Sequence, residues 1–473
     1  MLLAIDQGTT GTICLVVDET LAIRGQGHRA LTQRFPAPGL VEHDAEEIWK
    51  TVLAAAETAL ADAGVGASEL RALGIANQRE TTILWDRTTG KSMAPALVWQ
   101  DRRTAARCTE LPAELIRERT GLVPDPYFSA TKLEWLLSHT GAAGDLAFGT
   151  VDSWLAWKLT GEHITDVSNA SRTMLLGLDE LIWDDELLAL FGVPRSLLPA
   201  VVSSSGAIGE AKLLGTTVPL TGIAGDQQAA LFGQACFVPG RAKVTYGTGA
   251  FVLANAGIER PRPSPGVLAT VAWRLGDGPA VHALEGSVFV AGAAIEWLRD
   301  GLGLIEDAAE TEALARSLVG NDGVHFVPAL TGLGSPHWRP EARGLISGLT
   351  RGTRREHLVR AALEAIAFQT NDVLAAMALD VDLLRADGGA AANGFLLQFQ
   401  ADVARVPVEV PAEREATALG AAALAGLGAG MWADTSEFEA SWRRATRYEP
   451  ELEEAEAKRL VAGWHDAVRR TLA

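Results

Sequence analysis

Cysteine is scarce in this chain, and the few present suggest no pairing. Cys14, Cys108 and Cys236 are scattered, odd in number and without metal-ligand spacing. That argues against a disulfide framework and for a reducing compartment, the cytoplasm. Basic charge is also short, with 41 Lys and Arg against 59 Asp and Glu for a formal net charge of −18. No Lys/Arg stripe offsets this, so nucleic-acid and anionic-membrane binding are disfavoured. No signal peptide fits the start, because Asp6 interrupts the first apolar run. The nine histidines contain no HExxH pair. One stretch imitates a membrane span, ATALGAAALAGLGAGMW at 416–432. Its small residues supply little hydrophobic drive and its length is at the short end for a bilayer, so a helix buried against a sheet is expected.

What the chain does have is ordinary globular composition, 48% hydrophobic and 21% charged over 473 residues, which suits two domains. Its opening stretch, LLAIDQGTTGTICLVVD at 2–18, reads as two strands joined by a tight turn. A carboxylate, two glycines and three threonines fall within seven residues there. Glycine lets backbone N–H groups approach a phosphate and threonine adds hydroxyl donors. Asp6 suits a metal ion, since two anions repel. A simple hairpin is the alternative for one such turn, but a second follows about half a chain later. Residues 242–246 lead into Gly247-Thr248-Gly249 and a further apolar run at 250–254. Two related domains facing each other across a cleft, with one phosphate-holding turn each, would suit a nucleoside triphosphate.

Between these landmarks the pattern is layered α/β. A strand at 22–31 precedes a helix opened by Asp44 with Glu47 as a capping box and stopped by Gly64. A buried strand at 71–77, a hairpin about 87–91, helices near 129–139, 152–159 and 184–191, and a loop at 203–206 follow. A strand at 218–224 leads to Asp226 and a helix from about 228. The second half adds a strand near 280–285, a helix over 288–300, and a long helix over 354–378 opened by a Thr353/Glu356 capping box. A strand at 383–385, a helix through 393–404, a strand at 406–410 and an amphipathic terminal helix over 449–471 complete it. Gly90-Lys91-Ser92 is no Walker loop, because Trp85 stands at the upstream glycine position. Residues 247–252 lack the third glycine of a dinucleotide or protein-kinase loop.

Three further places carry chemistry. Asp387-Gly388-Gly389, between strand and helix, permits close approach of a base or phosphate, and Asn393 lies about one helical turn in; a plain connection is the alternative. Arg79 and Glu80 end a buried strand, where α/β ligands gather, and offer donors and acceptors for a polyhydroxy compound; a surface ion pair is the alternative. Trp99 and Tyr127 would add an apolar wall. Asp226 suits a general base that takes a hydroxyl proton as the oxygen attacks phosphorus, or else a plain helix N-cap.

Along nearly its whole length the chain resembles the FGGY carbohydrate kinases, through AIDQGTTGT, NQRETTILWD, TGLVPDPYFSATKLEWL, GIAGDQQAALFGQ, VTYGTGAF, DGGAAANGFLLQFQAD and EATALGAAALAGL. The NQRET and DPYFSATK segments favour the glycerol-phosphorylating branch over the ketose kinases. The resemblance implies an α/β fold of two actin/Hsp70-like, ribonuclease-H-like domains, at 1–235 and 236–473, closing on a cleft. It implies transfer from ATP with Mg²⁺ to glycerol, giving sn-glycerol 3-phosphate and ADP in glycerol uptake and catabolism. Arg79, Glu80, Trp99, Tyr127, Asp226, Gln227 and Phe251 would surround glycerol, with Asp226 as base and Asp6 organising Mg²⁺. Thr9, Thr10, Gly11 and Thr248 would contact phosphates, and Gly292, Glu296, Gly389 and Asn393 would face the nucleotide. Neither membrane insertion nor nucleic acid is implied, and a homo-oligomer, dimer or tetramer, is expected. The other readings are an FGGY kinase for another polyol or ketose, a catalytically weak regulatory paralogue, or a nucleotide switch without transfer.

Three places depart from the pattern. Gly11-Thr12-Ile13 stands where Ser-Ser-Arg is common, which removes a cation from the phosphates, and Glu296 stands where Gln is common. The segment between Ser205 and Val218 is short and lacks the glycine-rich basic stretch that binds fructose 1,6-bisphosphate in some bacterial members. Transfer activity of the purified protein is therefore expected to be insensitive to that sugar, and a dose-dependent inhibition curve would contradict this.

Overall fold

The apolar runs flanking the first turn pair in register in the computed structural model, which describes residues 1–141, 144–262 and 264–473. Strand β1 (Leu2–Gln7) runs antiparallel to β2 (Gly11–Val17), with Asp6 opposite Ile13. On the far side of β2 lies β3 (Ile23–Ala30), with His28 opposite Ile13. Helix α1 (Ala45–Ala63) covers one face of this meander. Strand β4 (Ala72–Asn77) runs parallel to β1. Strands β5 (Ser205–Leu213) and β6 (Thr216–Gly225) form a hairpin, with β6 parallel to β4. The sheet order is β5-β6-β4-β1-β2-β3.

Helix α2 (Asp226–Gly233) leads to the second sheet. Its strands are β7 (Arg241–Tyr246), β8 (Ala250–Gly257), β9 (Leu268–Arg274), β10 (Ala280–Val288), β11 (Leu383–Asp387), β12 (Val408–Pro411) and β13 (Arg444–Tyr448). The order is β9-β10-β8-β7-β11-β12-β13. Without the added edge strands, the two sheets share one plan. Three antiparallel strands are followed by two parallel ones, β3-β2-β1-β4-β6 and β10-β8-β7-β11-β12. The repeat of a turn seen in the sequence is thus a repeat of a whole sheet, as the two-domain α/β expectation requires.

Several local readings need correcting. Residues 203–206 are not a loop throughout, since β5 begins at Ser205. It turns into β6 through Leu214 and Gly215, both at positive φ (46° and 81°), the conformation a tight hairpin demands. The helix expected from 288 starts at Gly292 as α3 (Gly292–Glu296), because β10 continues to Val288. The long helix α4 (Arg355–Met377) is not opened by a Thr353/Glu356 box. The Arg354 N–H donates to His357 Nδ1 at 3.1 Å, and the Thr353 hydroxyl accepts from the Thr350 N–H. On α1, Asp44 does cap, accepting from the Glu46 and Glu47 N–H groups, but the Glu47 carboxylate turns away to the Thr32 N–H. The terminal helix begins at Glu454 rather than 449.

After α5 (Gly394–Ala404) and β12 comes α6 (Ala416–Gly428), the membrane-like stretch. It comes from the second half of the chain yet packs on β1, β4, β6 and α2 of the first. The contact is backbone on backbone. A Cβ at Gly420 would lie 1.8 Å from the Ala229 carbonyl oxygen, and one at Gly233 would lie 2.0 Å from that of Ala416. Small residues are therefore packing residues here, not membrane signals, and no described helix is long and apolar enough to cross a bilayer. Gly420→Ala is expected to destabilise the protein by about 1–3 kcal/mol through overpacking, read as a lowered urea midpoint with unchanged slope.

Candidate active site

Each glycine turn is fixed by its own strands. In the first, the Gly8 N–H donates to the Gly11 carbonyl at 2.9 Å. In the second, the Gly247 N–H donates to the Gly249 carbonyl at 2.9 Å, while the Ala291 and Ala293 N–H groups donate to the Thr248 carbonyl. This ties the turn to the start of α3. A third turn abuts the second. Gly388 has φ 86°, and a Cβ there would lie 2.4 Å from the Tyr246 carbonyl oxygen. Gly389 faces open space.

Thr248, Gly292, Glu296, Gly389 and Asn393 line one cavity of ≈ 610 Å³. The structure thus gathers every second-half nucleotide candidate, while Thr9, Thr10 and Gly11 stand outside this wall on the first turn. Asn393 requires a correction. Residues 389–392 form a short 3-10 turn, so Asn393 is the N-cap of α5 rather than a residue inside it. Its Oδ1 accepts from the Leu396 N–H and its Nδ2 donates to Thr311 Oγ1 at 3.0 Å. Arg299, also on the wall, was not singled out from sequence.

The polyol candidates converge around a buried guanidinium. Arg79 donates from Nη1 and Nη2 to the Glu285 carboxylate at 2.6 and 2.9 Å, and from Nη2 to the Tyr127 hydroxyl at 3.2 Å. Its Nε lies 3.3 Å from Asp226 Oδ1 without hydrogen-bond geometry. An unpaired buried N–H beside two carboxylates, Asp226 and Glu80, is where a hydroxyl would be held. Glu80 adopts φ 59°, an uncommon conformation that sites tolerate when surroundings enforce it. Trp99 meets Tyr127 and Phe251 edge-on, with centroids 5.5 and 6.3 Å apart. The Trp99 indole also donates to Thr9 Oγ1 at 2.9 Å, coupling this wall to the first turn.

Asp226 is not an N-cap. Gly225 holds that position, and among the described residues Asp226 accepts only from the adjacent Gln227 N–H. Burial, opposed by Arg79 and Lys243, leaves its pKa above the ordinary carboxylate value. The Gln227 side-chain oxygen is held by Lys243 Nζ, which also donates to Thr245 Oγ1. Burial brings Lys243 down to about 8 despite nearby Asp387 and Asp226. Asp6 is pushed up to about 8 by burial and by the Asp226 and Glu415 charges. A carboxylate held that high among others is short of positive charge, which a divalent cation supplies. No group of three or more His, Cys, Asp or Glu side chains converges there among the described residues. That donor set fits Mg²⁺, which keeps waters and takes phosphate oxygens.

Four functional-looking residues escaped the sequence reading. Arg172 donates to Glu80 at 2.6 Å and to Glu285 at 3.0 Å. Lys132 donates to the carbonyls of Pro126, Tyr127 and Phe128, fixing the segment that presents Tyr127. With Glu285 and Lys243 on strands, Lys132 on a helix and Arg172 in the turn after the short helix Val167–Ala170, they are buried charges. The only signal was a charge where an apolar residue would be expected.

Comparison with known proteins identifies the family. A family model described as the FGGY family of carbohydrate kinases, N-terminal domain, matches residues 1–233, and the C-terminal domain model matches 242–429. The chain is 54% identical to a glycerol kinase of Dechloromonas aromatica, covering 99% of this chain and 97% of that protein. It is 51% identical to glycerol kinase 2 of Thermotoga maritima, covering 99% and 98%. The solved structure of Plasmodium falciparum glycerol kinase with ADP superposes with a TM-score of 0.93 at 35% identity, covering 100% of this chain and 98% of that one. Gluconate kinase from Lactobacillus acidophilus, at 22% identity and TM-score 0.90 with 100% and 98% covered, shares the fold. With family models covering residues 1–233 and 242–429 and relatives matching along nearly the whole length, the chain is a member of the FGGY family of carbohydrate kinases.

Proposed function

We propose that this protein is an ATP:glycerol 3-phosphotransferase that makes sn-glycerol 3-phosphate and ADP, in glycerol uptake and catabolism. The observation that carries the reading is the cup around Arg79, in which a buried N–H, the Glu80 and Asp226 carboxylates and three aromatic rings meet. Glycerol is hydroxyls on a three-carbon spine, and it needs paired donors and acceptors plus cover for its C–H groups. Relatives at 51–54% identity named glycerol kinase support the same substrate.

In this reading Arg79 and Glu80 orient two hydroxyls, and Trp99, Tyr127 and Phe251 shield the carbons. Asp226 accepts the proton of the attacking hydroxyl, and the Gln227 amide completes the rim. Thr9, Thr10, Gly11 and Thr248 hold the phosphates, while Gly292, Glu296, Gly389 and Asn393 line the nucleotide pocket. Asp6 would hold Mg²⁺, which when bound would supply positive charge to the phosphate oxygens. Exclusion of water by cleft closure protects the phosphoryl group from hydrolysis. We divide the chain into domains at 235/236, the first carrying the polyol site and the second the nucleotide pocket. Three free, buried cysteines support a cytoplasmic, reducing location, and a homo-oligomer is proposed.

The decisive assay is ADP release with ATP and Mg²⁺ across a panel of polyols and ketoses. Glycerol is expected to give the highest kcat/KM, and release independent of any polyol would leave only a nucleotide switch. Asp226→Asn is expected to lower kcat by about 10²- to 10⁴-fold, the usual worth of a positioned base, with glycerol binding retained by calorimetry. Because a base acts deprotonated and Asp226 sits above the ordinary value, activity should fail as pH drops through that raised pKa. The acid limb of the kcat profile is thus expected above pH ~4, the unperturbed carboxylate region.

A further inference from the structure

The first glycine turn carries hydroxyls and N–H groups but no cation, and Ile13 occupies the middle of the row behind it. The alternation of side chains across β2 and β3 shows what else faces the same side. On β2, Thr12 and Cys14 point to α1, Thr12 Oγ1 lying 2.9 Å from Thr51 Oγ1 and Cys14 Sγ 3.9 Å from the Val52 carbonyl. Gly11 and Ile13 therefore face away from α1. On β3, Gly25 and Gly27 abut α1, where added Cβ atoms would lie 2.3 Å from the Ala59 oxygen and 2.0 Å from that of Ala55. Arg29 reaches the same helix, donating to Thr58 Oγ1 at 2.6 Å. His28 thus faces away from α1, in one transverse row with Ile13 and Asp6.

From that row the imidazole leans over the turn. A Cβ placed on Gly11 would lie 2.8 Å from His28 Nε2, so the absence of a side chain at 11 is what admits the ring. The ring is exposed and has no hydrogen-bond or ionic partner among the described residues. The other basic groups on these three strands are engaged elsewhere. Arg24 pairs with Asp18 at 2.5 Å, and Arg29 is held on the opposite face. Arg79 and Lys243, nearby, are bound to Glu285 and to Gln227 and Thr245.

We propose that His28 is a nucleotide-phosphate ligand whose Nε2–H donates to a phosphate oxygen seated in the Gly8–Gly11 turn. The inference rests on the reading of that turn as a phosphate cradle and deepens it. It assigns the contribution missing at Ile13 to an imidazole on the neighbouring strand. His28 then acts on the nucleotide and leaves the polyol cup untouched.

The test compares the full-length wild type with His28→Ala and His28→Gln by calorimetry with MgADP and by steady-state kinetics. His28→Ala is expected to weaken MgADP binding and raise the MgATP KM about tenfold, the scale of one hydrogen bond to a charged group, with the glycerol KM unchanged. His28→Gln, whose amide offers a donor from the same position, should recover part of the loss. Unchanged MgADP affinity in His28→Ala overturns the proposal. So does a parallel rise in both KM values with a lowered melting temperature, which marks a merely structural role. A wild type that binds MgADP but transfers nothing to glycerol, while His28→Ala loses MgADP, sinks the proposed function and keeps this inference.

Discussion

Glu285 is the group on which the site depends. It rises from β10 in the second half of the chain and accepts from Arg79 and Arg172, both delivered by the first half. Burial alone would raise its pKa, but the two guanidinium groups overrule this and hold it down to about 2. Arg172 reaches on to Glu80, so two arginines and two glutamates, all almost wholly buried, form one continuous network. Such networks add little net stability compared with a well-packed apolar core, yet removing one member typically costs about 3–5 kcal/mol because a charge is left unpaired. Their value here is geometric. The network fixes the angle at which the Arg79 Nε meets Asp226 and leaves that N–H unpaired beside it, as it does the buried Arg172 Nη1.

The sequence made the ends of strands legible and left the spaces between them obscure. Gly8–Gly11 and Gly247–Gly249 could be matched because glycine and threonine at a strand end have few other uses, and the structure extends that match to two sheets of one order. Asp226 could be placed after its strand, although excluding the N-cap reading needed the Gly225 cap in view. Glu285 and Arg172 could not be found, because their meaning lies in partners up to 206 residues away, and Lys132 and Lys243 could not because the carbonyls and side-chain oxygens they hold converge only once the chain is folded. Local chemistry misled in smaller ways. Thr353 looked like a cap until its hydroxyl turned to the Thr350 N–H. The helix expected at 288 began late because β10 stays paired with β9 as far as Glu285 and with β8 as far as Val288.

Helix α6 shows composition and context trading places. Read alone, its apolar run imitates a membrane span, although alanine and glycine supply too little hydrophobic drive for one. Placed against α2, they allow helix backbones to touch, with Gly233 and Gly420 each giving up a side chain for the other's carbonyl neighbourhood. Ala418, Ala421, Ala422 and Leu424 are wholly buried in the process. The apolar stretch is therefore explained by proximity to protein.

These contacts bear on what counts as a unit in this molecule. By sheet order the chain is two domains, but the first sheet borrows α6 from the far half and its two buried arginines borrow Glu285. A fragment ending near 235 would expose the face that α6 covers and leave Arg79 and Arg172 to share Glu80. In folding terms the halves are interdependent, so opening of either is coupled to the other, and cooperativity spans what the repeat makes look separable.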